Sequence, residues 1–281
     1  MNAIFDEQQL QAFLQGIDIP PCPAILVELD QALNKEAPDQ REIARIISKD
    51  VALSGRVMQI ANSPAFSTGR ELNSIIQALN VLGSQQVFNL VVTQLLKVAL
   101  AGAPEVPMDR FWDSSALTAR LSAELARRLR CVRPEYAYTF GLFHDCGIPL
   151  IMKRFPQAKE ALAAANAAVD ASFTEVEEAH LGTNHAAIGY FLARRWRLPE
   201  FVVHGIMAHH DYAMLRPSSP LSDNARAVIA LNVLAEHIIR LHARGDGEQE
   251  WEKAAPGVCE LFGLSLGAVD DLIEDMRDWL G

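Results

Sequence analysis

The stretch Leu117-Thr118-Ala119-Arg120-Leu121-Ser122-Ala123-Glu124-Leu125-Ala126-Arg127-Arg128-Leu129 places a leucine at every fourth residue. An α-helix turns once in about 3.6 residues, so Leu117, Leu121, Leu125 and Leu129 form one apolar stripe and the charged residues lie off it. Further along, Val228, Leu231, Ala235 and Ile238 repeat the pattern at spacings of three and four. Short apolar stretches such as Ala24 to Leu29 continue into Leu33 with helical spacing and have no hairpin turn beside them. No run of strict alternation competes. The expected fold class is all-α, a multi-helix bundle.

Half of the 281 residues are hydrophobic, enough for one large core or two moderate ones. Ala101-Gly102-Ala103-Pro104-Glu105-Val106-Pro107 follows one long apolar helix and precedes another, and two prolines with a glycine make helix continuation costly there. The expected division is therefore residues 1–103 and 104–281. In the first part Pro20-Pro21-Cys22-Pro23 predicts an extended entry, and Asp39 predicts a cap for a helix through Ile43, Ile46 and Ile47. Ser74 predicts a second cap, and Gly83 a stop before a long helix from Ser84 through Val98. In the second part Arg216 to Ser222 and Arg244 to Glu250 read as loops from their Pro, Ser and Gly content.

Composition also narrows the function. Val87 to Leu100 is interrupted by Asn89, Gln94 and Lys97, so it falls short of the roughly 18–20 clean apolar residues of a membrane span. Met1 to Gln11 carries Asp6 and Glu7 and lacks a basic start followed by an apolar run, so no secretion signal is expected. Four scattered cysteines, Cys22, Cys131, Cys146 and Cys259, form no C-x-x-C pair, which fits a reducing cytoplasm rather than a disulfide scaffold or zinc ribbon. A net charge of -10 opposes attraction to phosphate backbones, so neither a nucleic-acid nor a membrane partner is expected. The basic clusters Arg127, Arg128, Arg130, Arg133 and Arg194, Arg195, Arg197 fall at apparent helix ends, where cations suit the macrodipole. The acidic set Asp270, Asp271, Glu274, Asp275 and Asp278 reads as a solvated helix face.

All eight histidines follow the proposed boundary. His144-Asp145, His185 and His209-His210 offer imidazole nitrogens and a carboxylate, which Fe, Mn, Zn or Ni accept. Adjacent residues on a helix point about 100° apart, so an HD or HH pair can approach one ion only where a helix ends. Gly147 and Pro149 after the first pair, and Asp211-Tyr212 after the second, provide such endings. Asn184-His185 opens a new helix after Gly182. His180, His204, His237 and His242 show no partner spacing and are expected to be structural or exposed. Cys146 with His144 does not make a convincing nucleophile and base, because two positions apart on a helix they face different ways. No G-x-S-x-G turn is present for a serine nucleophile.

Taken in order, these motifs resemble the HDOD proteins, relatives of the HD and HD-GYP metal-dependent phosphohydrolases. The first part carries Pro20-Pro21-Cys22-Pro23-Ala24, Asp50-Val51-Ala52-Leu53, Ala61-Asn62-Ser63-Pro64-Ala65-Phe66, Ser74-Ile75-Ile76-Gln77-Ala78 and Leu82-Gly83. The second adds Phe111-Trp112, Gly141-Leu142-Phe143-His144-Asp145-Cys146-Gly147, His185-Ala186-Ala187-Ile188-Gly189, Trp196-Arg197-Leu198-Pro199 and His209-His210. So many motifs in one order are far more specific than a lone HD dipeptide. The resemblance implies an HD-like helical bundle packed against an N-terminal helical subdomain.

It also implies a site. Active relatives hold two metals, and the positions of two of their ligands are taken here by Ser114 and Asn232, neither of which is a comparable donor. A lysine expected three residues after the Asp is Ile148, and the GYP triplet is absent after His209-His210. By resemblance the ligand set of one metal survives as Asp145, His185, His209 and His210, while the other metal keeps His144 and Asp145 but not the ligands at 114 and 232. Glu236, one turn after Asn232 on the same face, is a surrogate carboxylate or an exposed charge; Asp113 is a weaker surrogate. Two-metal hydrolysis stabilises both attacking and leaving oxygens, and half of that clamp is missing. The expected function is a bacterial signal-transduction module without hydrolytic activity, holding at most one divalent metal and acting on a signalling protein or a small nucleotide effector. The alternatives are a metal-dependent phosphohydrolase or phosphodiesterase acting on a nucleotide, and a scaffold that binds a nucleotide without turnover.

Overall fold

The computed structural model describes residues 11–14, 16–63, 69, 71–101, 108–244 and 249–280. Among these no residue is in a strand, and the chain is all-α as its periodicity requires. It divides into two compact units, one running from Pro20 to Ala101 and the other formed by the residues before and after it.

The Pro20–Ala101 unit contains α1 (Ala24–Leu33), α2 (Gln40–Ile47), α3 (Val51–Ala61), α4 (Ile75–Leu82) and α5 (Ser84–Ala99). Each boundary has a local cause. Asp39 accepts the Arg41 N–H at 2.8 Å, Asp50 accepts that of Leu53 at 2.9 Å, and Ser74 accepts that of Gln77 at 3.3 Å, each relieving an orphan donor of a first turn. Gly83, at φ 83°, ends α4 in a conformation that a side chain resists and leads directly into α5. Asn62 closes α3 and ties it to the chain ahead of α4, its side chain both donating to the Leu72 carbonyl and accepting from the Leu72 N–H, each at 2.8 Å. Leu29, Ile43, Ile47, Leu79 and Leu96 fill the core. The Pro64-Ala65-Phe66 part of the third motif lies outside the described residues.

The second unit holds α6 (Asp109–Leu129), α7 (Pro134–Phe143), α8 (Gly147–Arg154), α9 (Ala158–Ala167), α10 (Phe173–Leu181), α11 (His185–Arg195), α12 (Glu200–Ala208), α13 (Asp223–Arg244), α14 (Gln249–Phe262) and α15 (Leu266–Leu280). Helix α13 packs on α6, α7, α12, α14 and α15 and is the hub of the unit. Leu121 and Leu125 of the leucine stripe meet Leu231, Leu234, Ile238, Ile273 and Met276 in its core, with Leu129 at the edge. Each such side chain contributes about 1.5–3 kcal/mol by leaving water. Two glycines let helices touch: a Cβ on Gly141 would stand 2.8 Å from the Ala119 Cα, and one on Gly147 would land on the His185 carbonyl.

The division differs from the expected one at its start. The 3-10 turn Ala12–Leu14 belongs with the second unit, where the Thr183 hydroxyl donates to the Phe13 carbonyl at 2.5 Å. A single hydrogen bond spanning 170 residues leaves no local trace in sequence. Most of the expected linker, residues 102–107, and of the Arg244–Glu250 loop, residues 245–248, lie outside the described residues. The arginine clusters do close helices: Arg127 and Arg128 end α6, and Arg194 and Arg195 end α11. Asp270, Asp271, Glu274 and Asp275 are exposed, Asp275 pairing with Arg128 at 2.7 Å. No described helix is long and apolar enough to cross a membrane.

Candidate metal centre

Helix α7 ends at Phe143, so His144 and Asp145 sit in the turn before α8 and both turn inward. Asn184 caps α11 by accepting the Ala187 N–H at 2.7 Å, which fixes His185 as the first helical residue. Helix α12 stops at Ala208, leaving His209 and His210 in a turn that Asp211 closes by capping a 3-10 segment, Tyr212–Leu215. The helix ends inferred from the sequence thus bring residues from three separate stretches together. Ligand atoms of Asp145, His185, His209 and His210 all lie within 4.8 Å of one another, and so do those of His144, Asp145 and Glu236.

The orientation of each imidazole is set from behind. The Nδ1–H of His144 faces the Gly141 carbonyl at 3.0 Å, and that of His209 the Ile206 carbonyl at 2.7 Å. His185 Nδ1 lies 2.6 Å from Glu177 Oε2, and His210 Nδ1 lies 3.1 Å from Glu250 Oε2. With every Nδ1 engaged by an acceptor, Nε2 is the nitrogen left for a metal once any proton on it is displaced, the arrangement that metal-binding histidines adopt.

The spacings fit an ion. His185 Nε2 and His209 Nε2 are 3.1 Å apart, and Asp145 Oδ1 stands 3.2 Å from the first and 3.5 Å from the second. Donors about 2.1 Å from a common ion are separated by about 3.0 Å in an octahedron and about 3.4 Å in a tetrahedron. On the other side of the same carboxylate, His144 Nε2 lies 3.2 Å from Asp145 Oδ2 and 2.9 Å from Glu236 Oε1. Neither contact has hydrogen-bond direction, although both oxygens are close to this buried nitrogen. Asn232 Oδ1 is likewise buried without a hydrogen-bond partner.

Charge agrees with geometry. Burial opposes ionisation of His144, yet Asp145 and Glu236 outweigh it and hold its pKa well above 6.5. Burial opposes His185 as well, but Glu177 and Asp145 raise it to about 10. Burial would raise Asp145; the neighbouring His144, His185 and His209 instead hold it well below 3.8. His209 is lowered by burial, and His210 is pushed to about 3 by burial and by the charge of its neighbours. The carboxylates therefore demand positive charge at the centre, and a divalent cation supplies it without the protons. Cys146 is fully buried and its thiol is pushed far up, so it is no nucleophile.

A cavity of about 580 Å³ opens onto these atoms. Its wall includes Ser114, Thr118, Asn166, Phe173, Tyr212, Asn232, Glu236 and Arg240. Ser114 is exposed at this wall, and Asp113 is exposed without lining it. His180 and His242 are exposed and His204 is half-buried, whereas His237 is buried and stacked on Trp251 at 4.5 Å. Sequence reasoning missed Glu177 and Glu250. Glu177 had a signal: Phe173, Glu177 and Leu181 lie four apart on the buried face of α10, and a carboxylate within an apolar stripe requires a partner. Glu250 had none, standing 40 residues from His210.

The sequence model of the HDOD domain family matches residues 19–212. The solved structure of a candidate phosphohydrolase from Shewanella amazonensis aligns at 27% identity over 94% of both chains, TM-score 0.70. That of an HDOD domain protein from Geobacter sulfurreducens aligns at 25% identity over 97% of both, TM-score 0.67. An uncharacterized protein of Treponema pallidum is 25% identical over 87% of this chain. The chain spans less than half the length of the curated relatives it matches, 46% and 40%.

Proposed function

Because the chain belongs to the HDOD family, we propose that it is a metal-binding signal-transduction module of a bacterial cytoplasm that does not turn over a substrate. One divalent ion, Fe, Mn, Zn or Ni, is held by Asp145, His185, His209 and His210. The observation that carries this reading is the set of three imidazoles, His185, His209 and His210, each engaged at Nδ1 from behind, whose ligand atoms lie with that of Asp145 within 4.8 Å of one another. When bound, such an ion polarises an oxygen of a phosphate or an effector. This chain's residues orient the ligand: Arg240 and Asn166 in the cavity wall offer donors to an anionic group, and Phe173 and Tyr212 offer apolar surface. Non-turnover is supported by neutral Ser114 and Asn232 and by Ile148 where relatives carry a lysine. The partner is a signalling protein or a small nucleotide bound in the cavity.

Metal analysis of the purified, reloaded chain is the direct test. It should find one ion per chain, lost in Asp145→Ala and His209→Ala, with no hydrolysis across a panel of nucleotides and cyclic dinucleotides. Turnover abolished by those two substitutions would overturn the reading. A second reading, a two-metal phosphohydrolase, is favoured by one contact: Glu236 Oε1 at 2.9 Å from His144 Nε2 places a carboxylate beside the second oxygen of Asp145. It requires two ions per chain, one of them lost in Glu236→Gln.

A further inference from the structure

We propose that Glu250 is a positioning residue for His210, and that through it helix α14 and the metal site stabilise one another. The inference rests on the metal-binding reading and adds to it a coupling that lies beyond the matched family region, which ends at residue 212.

The four imidazoles are not held in equivalent ways. His144 and His209 each use a carbonyl three residues earlier, an acceptor that the preceding helix supplies automatically. His185 uses Glu177, eight residues back on the adjoining α10. The Nδ1 of His210 instead faces a carboxylate on α14, 40 residues later. That carboxylate is itself fixed: Glu250 Oε2 accepts from the Tyr212 hydroxyl at 2.7 Å, and Oε1 accepts from Lys253 at 3.0 Å. Lys253 also donates to the Ala171 carbonyl at 3.3 Å, just before α10. The contact continues along the helix, where the bare Gly257 admits Leu215; a Cβ there would stand 2.9 Å from the Leu215 Cβ. His210, Tyr212 and Leu215 therefore all bear on one face of α14.

The chemical consequence concerns which nitrogen is free. A neutral imidazole carries one N–H, and an acceptor at Nδ1 keeps that proton there and the lone pair on Nε2. Without the Glu250 carboxylate the ring has no reason to prefer that tautomer or that rotation, and Phe173, stacked on His210 at 4.8 Å, supplies no acceptor. A metal that takes His210 Nε2 thus selects the state in which α14 is docked, and a docked α14 presents His210 as a ligand. Linkage makes the two effects equal.

The test uses the full chain and Co2+. Affinity is read by chelator competition, coordination by the visible absorption of bound Co2+, and α14 by hydrogen exchange of residues 249–262 with and without the ion. The wild type should gain protection in that segment on binding. Glu250→Met, which removes the acceptor and keeps the side-chain length, should lose that gain and bind Co2+ about 10–100-fold more weakly, the range for losing the residue behind a metal-bound histidine. Its metal-free melting temperature reports separately on the lost Tyr212 and Lys253 contacts, and the coupling is read from affinity, spectrum and exchange. Tyr212→Phe, which leaves the carboxylate in place, should weaken binding less. Wild-type affinity and an unchanged spectrum in Glu250→Met would overturn the proposal, as would a wild type whose α14 exchange ignores Co2+, a measurement that stands even where the variant does not fold. A wild type that binds no Co2+ would remove the metal reading itself, and this coupling with it.

Discussion

Gly147 is two residues beyond Asp145, and its missing side chain lets the start of α8 rest on the start of α11. A Cβ there would overlap the His185 carbonyl oxygen and stand 2.8 Å and 2.9 Å from the His185 carbonyl carbon and Cα. Carbon atoms in ordinary contact are about 3.5–4.0 Å apart, so Gly147→Ala must drive the two helix starts apart by roughly 1 Å. The obstacle is backbone and cannot rotate away. Such overpacking costs about 1–3 kcal/mol. For a unit of this size that is a fall of roughly 2–12 °C in melting temperature. The site should suffer more than the fold. His185 Nε2 is 3.2 Å from Asp145 Oδ1, and metal ligands tolerate displacements of about 0.2 Å, so a shift several times larger separates the two donors. Thermal melts followed by circular dichroism, with Zn2+ affinity from chelator competition, measure both effects. Gly55→Ala is the control: exposed within α3 with nothing within 4 Å of its Cβ, it should gain about 0.5–1 kcal/mol. A Gly147→Ala protein that melts and binds zinc like the wild type would refute the close-contact reasoning.

Removing metal with a chelator should lower the melting temperature of the wild type and leave Asp145→Ala unmoved; at a free ion concentration 100 times Kd the difference corresponds to about 2.7 kcal/mol. Metal affinity should rise with pH, because Glu177 and Asp145 hold His185 protonated to about 10 against the opposing effect of burial, and the ion must displace that proton. The slope should approach about tenfold per pH unit for one proton between pH 6 and 9, and a flat competition profile would contradict it. His237 behaves oppositely: burial against Trp251, then the charge of Arg240, depress it to about 4. The folded protein therefore holds it neutral and the unfolded chain takes up the proton first, so this stability is present above about pH 6.5 and is lost as pH falls toward 4. Denaturant midpoints across that window should decline less in His237→Gln, with Trp251 fluorescence as the local probe.

The fold was legible because its signals are local. The stripe at Leu121 and Leu125, the caps Asp39, Ser74 and Asn184, and the stop at Gly83 each act within one helical turn. The convergence of the HD and HH pairs was legible for a related reason, since a pair of adjacent ligands needs a helix end and Gly147 and Asp211 mark two of them. What holds those ligands was less so. Glu177 betrayed its burial by standing between Phe173 and Leu181, but nothing local said that its partner was His185. Glu250 and the Phe13 carbonyl act across 40 and 170 residues, where only packing decides who meets whom.

Position in sequence and position in space part company most at Asn232 and Glu236. The resemblance puts Asn232, an uncharged side chain, where active relatives are expected to carry a ligand. In space a carboxylate is close by: four residues further along α13, about 6 Å of helix rise, Glu236 reaches back to within 2.9 Å of His144 Nε2. Asn232 Oδ1 meanwhile stays buried and unpaired, a cost of about 1–3 kcal/mol that a cation or a ligand donor in the cavity would relieve. Glu236 stands one turn from Asn232, and whether its carboxylate can serve a second ion is a question of reach. Asn232→Asp answers it. If reach is what limits the wild type to one ion, restoring a carboxylate beside His144 and Asp145 should raise metal uptake from one ion to two per chain. If the wild type already takes two and Glu236→Gln reduces that to one, the longer side chain has made up the distance, and the phosphohydrolase reading replaces the regulatory one.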